Sequence, residues 1–180
     1  MALKMKTIKS RKQRGMSLIE VMVAITVLTV GVAGCAVVIP IAIGRNFANR
    51  QQGNSTVIAQ MVTEKLLSVP ANTVPVLTIT DCAPNNNLVT TTGSAGGSGA
   101  PLLASGDIDF SQAAPAGYFM NYTTCGSNGL QMVYDVRWNI KDPSGFVKLI
   151  TVSARLKSTT GNAQMYSLPV TIRSMAGQGS

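Results

Sequence analysis

The chain has 180 residues and a net charge of +8, from 15 Lys/Arg against 7 Asp/Glu. It contains no His, which excludes His-based catalytic triads and His-ligated metal sites. Six of the cations precede residue 15, so the remainder carries a net charge of only +2 and does not favour a nucleic-acid-binding surface. The length suffices for one modest domain beyond a membrane anchor.

The N-terminal segment joins a basic leader to a long apolar run. The leader has six cations and no acid: Lys4, Lys6, Lys9, Arg11, Lys12 and Arg14. Uncharged residues then extend from Val21 to Gly44, long enough as a helix to span about 30 Å of hydrocarbon. Clusters of Lys and Arg stay on the cytoplasmic side, so we expect the rest of the chain to be exported.

Glu20 places one carboxylate just inside this apolar segment. An ionisable residue within a membrane span indicates a function, because its insertion is energetically unfavourable. A tolerated Glu near the membrane interface is the alternative, since the cost falls towards the end of a span.

The residues from Arg14 to Glu20, RGMSLIE, resemble the N-terminal signature of type IV prepilins and type II secretion pseudopilins. The run from Met16 to Ala24 is most similar to PilV-type minor pilins, in which Met at the first mature position is commoner. The resemblance implies that a prepilin peptidase cuts between Gly15 and Met16 and methylates Met16. Glu20, the fifth mature residue, would then offset a terminal amino group during assembly.

The same resemblance gives an expected location and expected partners. The precursor would cross the inner membrane once, with its C-terminal domain in the periplasm, and then enter a pilus or pseudopilus. Its partners would be the prepilin peptidase, other pilin or pseudopilin subunits and an inner-membrane assembly platform. We expect no enzymatic activity, no metal and no cofactor. The sequence favours a minor pilin, with a type II secretion pseudopilin as the alternative.

Two other classes of protein account for part of the pattern. The residues Val32-Ala33-Gly34-Cys35 resemble a lipobox, which would make the chain a lipoprotein cleaved before Cys35. Two features oppose this, because Glu20 would lie within the signal's apolar region and the chain stays apolar through Ile43. A plain signal-anchored periplasmic protein leaves the spacing of Gly15 and Glu20 as coincidence.

We predict one long helix over residues 16–68. Residues 16–44 form its membrane-spanning or filament-core part, and residues 45–68 form an amphipathic part. The amphipathic part has an apolar stripe at three- and four-residue spacing: Val57, Ile58, Met61, Val62, Leu66 and Leu67. Pro70 disfavours helix at Val69 and should end the element there.

Residues 69–128 are predicted to form an irregular connection. A short strand is expected within Val74–Thr80, and the residues from Asn85 to Gly106 read as a flexible loop rich in Gly, Ser, Thr and Asn. Asp107 and Asp109 offer two carboxylates to calcium, but without an ordered ligand loop we interpret them as solvated acids.

Residues 129–180 are predicted to form an antiparallel sheet. Alternating patterns before and after the turn Asp142-Pro143-Ser144-Gly145 indicate a hairpin, whose second strand runs to Leu156. Tyr166–Arg173 supplies a third strand, with Pro169 marking an edge. The fold class is therefore α+β, with the amphipathic half of the helix packed on the sheet, as in pilins.

The remaining candidates are cysteines and hairpin cations. Cys82 and Cys125 lie in the exported part, so we predict a disulfide bond between them, with Cys35 left outside it. Three cations on the hairpin, at Arg137, Lys148 and Arg155, could meet DNA phosphates. We interpret them as a solvated sheet face, because no aromatic residues are clearly interleaved with them.

Overall fold

A computed structural model describes residues 16–70, 76–125, 131–157 and 168–177. The chain forms two compact units that divide between Gly44 and Arg45. Its described elements are α1 (Leu18–Leu67), β1 (Leu77–Thr80), β2 (Asn86–Val89), β3 (Ser98–Gly99), β4 (Phe119–Thr124), β5 (Met132–Lys141), β6 (Val147–Leu156) and β7 (Val170–Gly177). One long helix and a set of antiparallel strands give the predicted α+β class.

The first unit contains the apolar half of α1. Its large apolar side chains are exposed along the helix, and Pro40 lies inside it. Two polar side chains in this half are satisfied locally, because the hydroxyls of Thr26 and Thr29 donate to the carbonyls of Val23 and Thr26 at 2.8 and 2.9 Å. The helix therefore presents no unsatisfied hydroxyl from these two residues to an apolar environment.

In the second unit, the other half of α1 packs through one face and ends at Leu67. The buried residues are Gln51, Ser55, Ile58, Ala59, Val62, Thr63 and Leu66. The predicted stripe was wrong at Val57, which is 63% exposed. Ala59 and Thr63 lie at helical spacing on the buried face instead, where their small size allows close packing. Pro70 follows the last turn, in agreement with its predicted role.

The main sheet has β5 at its centre. Both β3 and β4 pair with one edge of β5, while β6 pairs with the other edge and β7 pairs with β6, all antiparallel. The predicted hairpin is β5–β6. Its register pairs Trp138 with Val152 and Ile140 with Ile150, and these side chains form one buried apolar face. They belong to the same hydrophobic core as Ile58, Ala59, Val62 and Leu66 of α1.

The predicted third strand is present with shifted bounds. β7 begins directly after Pro169 and extends to Gly177, beyond the expected end at Arg173. The first two residues of the predicted range, 166 and 167, lie outside the described residues. β7 is at the edge of the sheet, where Pro169 does not remove a ladder hydrogen bond.

The short strand expected within Val74–Thr80 is present as β1, but the predicted irregular connection over residues 69–128 also contains β2, β3 and β4, which were not predicted. β1 and β2 form a two-stranded antiparallel sheet, and all six residues of β4 pair with β5. β2 begins with two Asn residues and lies within the segment predicted as a flexible loop, so its composition resembled that of a loop. The apolar anchors of β1 and β2 are few, with Ile79 and Val89 buried in the core.

Residues 100–112, which we call the strap, lie beside β5 and against the face of the main sheet opposite its buried apolar face. The Ala100 N–H donates to the Trp138 carbonyl at 2.9 Å, and the Asn139 amide donates to the Ala100 carbonyl at 2.9 Å. Further along, the ring of Phe110 lies against Arg137 and Arg155. Part of the predicted flexible loop is therefore an ordered cover for the sheet.

Candidate functional site: the N-terminal end of helix α1

The start of α1 lies next to the predicted cleavage position. Met16 is 68% exposed and precedes the helix, which begins at Leu18. The Ser17 carbonyl accepts hydrogen bonds from the N–H groups of Glu20 at 3.0 Å and Val21 at 3.2 Å, so Ser17 occupies the N-cap position. Met16 thus lies outside the helix. Gly15 and the rest of the predicted leader, residues 1–15, lie outside the described residues.

Glu20 lies in the first turn of α1, three residues after Ser17. A carboxylate at this position is favoured by the partial positive charge of the helix N-terminus, and Ser-x-x-Glu is a recurrent helix-start pattern. This Ser-x-x-Glu pattern was not identified from the sequence as the start of the helix. Glu20 also lines a shallow groove with apolar neighbours: Ile19, Val23, Ala24, Val27 and Leu28.

The carboxylate of Glu20 is exposed on this apolar surface. Among the described residues, none forms an ion pair or a side-chain hydrogen bond with it. A carboxylate with an apolar surround favours a nearby cation, because burial beside a positive charge is far less costly than burial alone. The geometry therefore leaves the Glu20 carboxylate available to a cation.

Among the residues that the structure describes, one helix, α1, is long and apolar enough to cross a membrane. None of its most apolar 18-residue segment is buried inside the protein. The core helix of a soluble protein with this composition would be mostly buried. Cys35 lies in this half of α1 with its thiol free, as predicted, and is exposed.

The disulfide bond predicted between Cys82 and Cys125 is present, with 5.4 Å between the Cα atoms. It lies beside a second cross-link that sequence reasoning missed. The Asp81 carboxylate accepts hydrogen bonds from the N–H groups of Ala83 and Asn85, from the Asn85 side chain, and from the Thr123 N–H at 3.1 Å. Together they fasten the turn after β1 to β4.

Asp81 is 8% exposed. Burial by itself would raise the pKa of its carboxyl, but the hydrogen bonds from Asn85 and Thr123 together hold that pKa below its ordinary value. The charged form is therefore the one that the fold stabilises. An Asp at the end of a strand and before a Cys-Ala-Pro turn was the available sequence signal.

The interpretation of Arg137 and Arg155 as solvated cations was wrong. Both guanidinium groups pair with Asp135, at 2.9 and 3.4 Å, and they lie 4.8 and 4.3 Å from the centroid of the Phe110 ring. Asp135 and Arg137 are two residues apart in a strand, so their side chains point to the same face. This spacing was the signal in the sequence for their ion pair. These arginines are engaged by the protein itself, so the geometry gives no support to a phosphate-binding role.

Lys148 was also wrongly interpreted as solvated. It is 5% exposed, and its ammonium donates to the Thr91 carbonyl at 3.3 Å. The alkyl stem of a lysine packs readily in an apolar layer while its ammonium bonds a carbonyl. Lys148 therefore holds the segment after β2 against the sheet.

The two strap carboxylates already have protein donors. Asp109 is 8% exposed and accepts from the Ser111 hydroxyl and N–H and from Gln112, so it is not the solvated acid that we expected. The bonds from Ser111 lower the pKa of Asp109, with smaller help from Gln112 and Arg137. Asp107 pairs with Arg173 at 2.9 Å. Among the described residues, no group of three or more metal-ligating side chains occurs.

Comparison with known proteins relates the N-terminal end of α1 to a family of N-terminally methylated proteins. Residues 10–36 match the family described as the prokaryotic N-terminal methylation motif. No curated protein and no solved structure matches the chain. The matched segment contains the exposed Met16, the N-cap Ser17 and Glu20, and it supports a type IV pilin-like or pseudopilin-like precursor.

Proposed function

We propose that the chain is a structural subunit of a type IV pilus, and specifically a minor pilin. The observation that carries the proposal is the match over residues 10–36 to the N-terminal methylation motif, at the start of an exposed apolar helix. A soluble monomer would not leave so many apolar side chains uncovered. Lipid in the precursor and neighbouring helices in a filament would each cover them.

In this proposal, processing begins at the junction of Gly15 and Met16. A prepilin peptidase cuts that bond, and the new amino group of Met16 is methylated. Met16 precedes the N-cap Ser17, so the residue directly after the cut lies outside the helical hydrogen bonds. Gly15 gives the peptidase close access to the backbone, where a bulky side chain would obstruct it.

Assembly then depends on Glu20. Its carboxylate offsets the charge of a Met16 amine, its own or a neighbouring subunit's, inside an apolar environment. Removal of one partner from a buried ion pair typically costs about 3–5 kcal/mol when the other charge stays behind. This dependence would help to set the register of neighbouring helices in a filament.

The location follows from the same features. The precursor crosses the inner membrane once with its leader in the cytoplasm and its second unit in the periplasm. The disulfide bond between Cys82 and Cys125 suits that oxidising compartment. A lipoprotein is less favoured, because α1 continues unbroken through Cys35 and the chain stays apolar as far as Ile43.

The assignment as a minor pilin rests on the similarity of the run from Met16 to Ala24 to PilV-type subunits. Its test is co-assembly in the native host. Under the proposal, the protein appears at low abundance in sheared surface filaments and in complexes with other pilins. Recovery only with a secretion apparatus would instead make it a type II secretion pseudopilin.

Processing is tested by Gly15→Val, which should leave the full-length precursor in the inner membrane. Gly53→Val is the matched control, because a Cβ at Gly53 meets nothing within 4 Å. Immunoblots should show precursor for the first variant and mature protein for the second. Normal processing of Gly15→Val would contradict the proposed cleavage position.

A further inference from the structure

We propose that Arg45 and Arg50 form a binding site for anionic lipid phosphates at the outer leaflet of the membrane that α1 crosses. We call these two residues the arginine pair. The pair lies on the first turns of the second unit, immediately after the apolar run ends at Gly44. The inference requires the membrane span and the exported orientation of the proposed function, but not its role in a filament.

The first observation is that the pair is exposed and has no partner among the residues that the structure describes. Both residues are exposed on α1. Within that part of the chain, none forms an ion pair or side-chain hydrogen bond with either guanidinium. This differs from the other described arginines, since Arg137, Arg155 and Arg173 all pair with aspartates. The arginine pair is therefore available to an external anion.

The second observation is the charge pattern along the chain. Between Val21 and Thr63 the sequence contains no Asp or Glu, and its cations are Arg45 and Arg50. An acid within a helical turn or two would compete for the guanidiniums, and none is present. The exposed side-chain amides of Asn46 and Asn49 can donate hydrogen bonds to an anion and carry no negative charge that would compete for the guanidiniums. The segment thus favours a negatively charged ligand.

Dimensions place the pair at the depth of the headgroups. The uncharged run from Val21 to Gly44 covers about 36 Å, which exceeds a hydrocarbon core of about 30 Å. Arg45 and Arg50 differ in height by about 7.5 Å, comparable with the thickness of one headgroup layer. Their side chains point about 140° apart around the helix, so they can reach phosphates of different lipid molecules.

Guanidinium and phosphate are complementary in charge and in hydrogen-bond geometry. A cation near an anionic membrane surface strengthens binding by about fivefold, so the pair should favour anionic over neutral lipid by about 25-fold. Binding would fix the depth of α1 in the membrane. It would also have to be released when the subunit leaves the bilayer.

The experiment measures which lipids remain on the protein. The full chain, purified in whatever processed form the cell yields, is placed in nanodiscs containing neutral phosphatidylcholine and anionic phosphatidylglycerol. Native mass spectrometry then counts the lipids retained by wild type, by Arg45→Gln/Arg50→Gln and by Lys65→Gln. Lys65 is an exposed cation in the last turn of the same helix and serves as the matched control.

We expect wild type and Lys65→Gln to retain phosphatidylglycerol preferentially, and the double variant to lose most of that preference. Equal preference in all three proteins would overturn the inference. So would equal loss in Lys65→Gln, because that result reports general surface charge. If the double variant keeps its lipid preference but fails to enter filaments, the pair contacts a neighbouring subunit and the lipid site is refuted.

The outcome is separable from the proposed function. Processing at Gly15 is scored on the same samples from the mass of the protein. A preference that is lost in the double variant, in a chain that stays unprocessed in cells with an active prepilin peptidase, would refute the prepilin assignment and leave the lipid site intact. Disulfide formation between Cys82 and Cys125 checks that the double variant is folded.

Discussion

The guanidinium carbon of Arg155 lies 4.3 Å from the centroid of the Phe110 ring, so a strap residue is held against the central hairpin. Arg137 approaches the same ring at 4.8 Å. Cation–π contacts of partly desolvated arginines contribute about 0.5–2 kcal/mol each. Phe110 is therefore one of the residues through which the strap and the sheet stabilise each other.

Replacing Phe110 with Ala should lower the free energy of unfolding by about 2 kcal/mol, because both arginine contacts and part of the apolar burial are lost. The fluorescence of Trp138, the single tryptophan and a fully buried one, reports urea unfolding of the detergent-solubilised protein. Phe146→Ala is the control, since Phe146 is 64% exposed and should change stability by less than about 0.5 kcal/mol. Equal effects would refute the role of the strap.

Asp81 should make stability depend on pH. Its folded pKa lies below the ordinary value of 3.8, so its contribution is complete above about pH 5 and is lost as pH falls through 3.8 towards the lowered pKa. Asp81→Asn should abolish this part of the acid sensitivity. It should also cost about 1–3 kcal/mol at neutral pH, since an amide cannot accept from all four donors.

The measurement for Asp81 is the urea midpoint as a function of pH. The control is Asp107→Asn, because Asp107 forms an ion pair with Arg173 in which both side chains are 46% exposed, and such pairs contribute little. If both variants retain the wild-type pH profile, another group is responsible for the acid sensitivity.

The disulfide bond should be a major source of stability. It joins residues 43 apart in sequence, and closing a loop of that length stabilises the folded state by about 3–4 kcal/mol in the chain-entropy account. Cys82→Ser/Cys125→Ser should lower the unfolding midpoint accordingly, whereas Cys35→Ser should not. Peptide mapping without reductant must find Cys82 linked to Cys125, and two free thiols there would contradict the account.

The sequence predicted those features that periodicity or charge encodes over many residues. The long helix, the β5–β6 hairpin and the edge position of β7 follow from apolar spacing and from Pro169. The disulfide bond followed from the location of Cys82 and Cys125. At the N-terminus, the spacing of the leader, Gly15 and Glu20 indicated a prepilin, because that signature is local and needs no tertiary contact.

The strap and the Asp81 cross-link were not predictable in this way. Their stability comes from single contacts between residues distant in sequence, such as Phe110 with Arg155 and Asp81 with Thr123. A segment rich in Gly, Ser, Thr and Asn has the composition of a mobile loop whether or not such contacts form. The arginines likewise appeared solvated because their covering residues, 100–112, have no regular pattern.

Glu20→Ala should leave processing at Gly15 unchanged but reduce incorporation into filaments, because the carboxylate that offsets a terminal amine is lost. A loss of about 3–5 kcal/mol would shift the assembly equilibrium by two or more orders of magnitude. The effect should be smaller for a subunit at a filament tip, which has neighbours on one side only. Sheared filaments are quantified for wild type, Glu20→Ala and Glu64→Ala, an exposed acid elsewhere on α1.

If Glu20→Ala enters filaments as well as wild type does, with normal processing, then Glu20 is only a tolerated interfacial residue. Reduced incorporation of Glu64→Ala to the same extent would show that any loss of charge on α1 is harmful. Either result would remove Glu20 from the assembly mechanism while leaving the cleavage site to be judged separately.

The central claim is tested most directly by mass spectrometry of the N-terminus of the protein isolated from membranes of its native host. We predict a mature chain that begins at N-methyl-Met16, with residues 1–15 absent. A chain that begins at lipidated Cys35, or one that retains the leader in cells with an active prepilin peptidase, would contradict the assignment as a pilin.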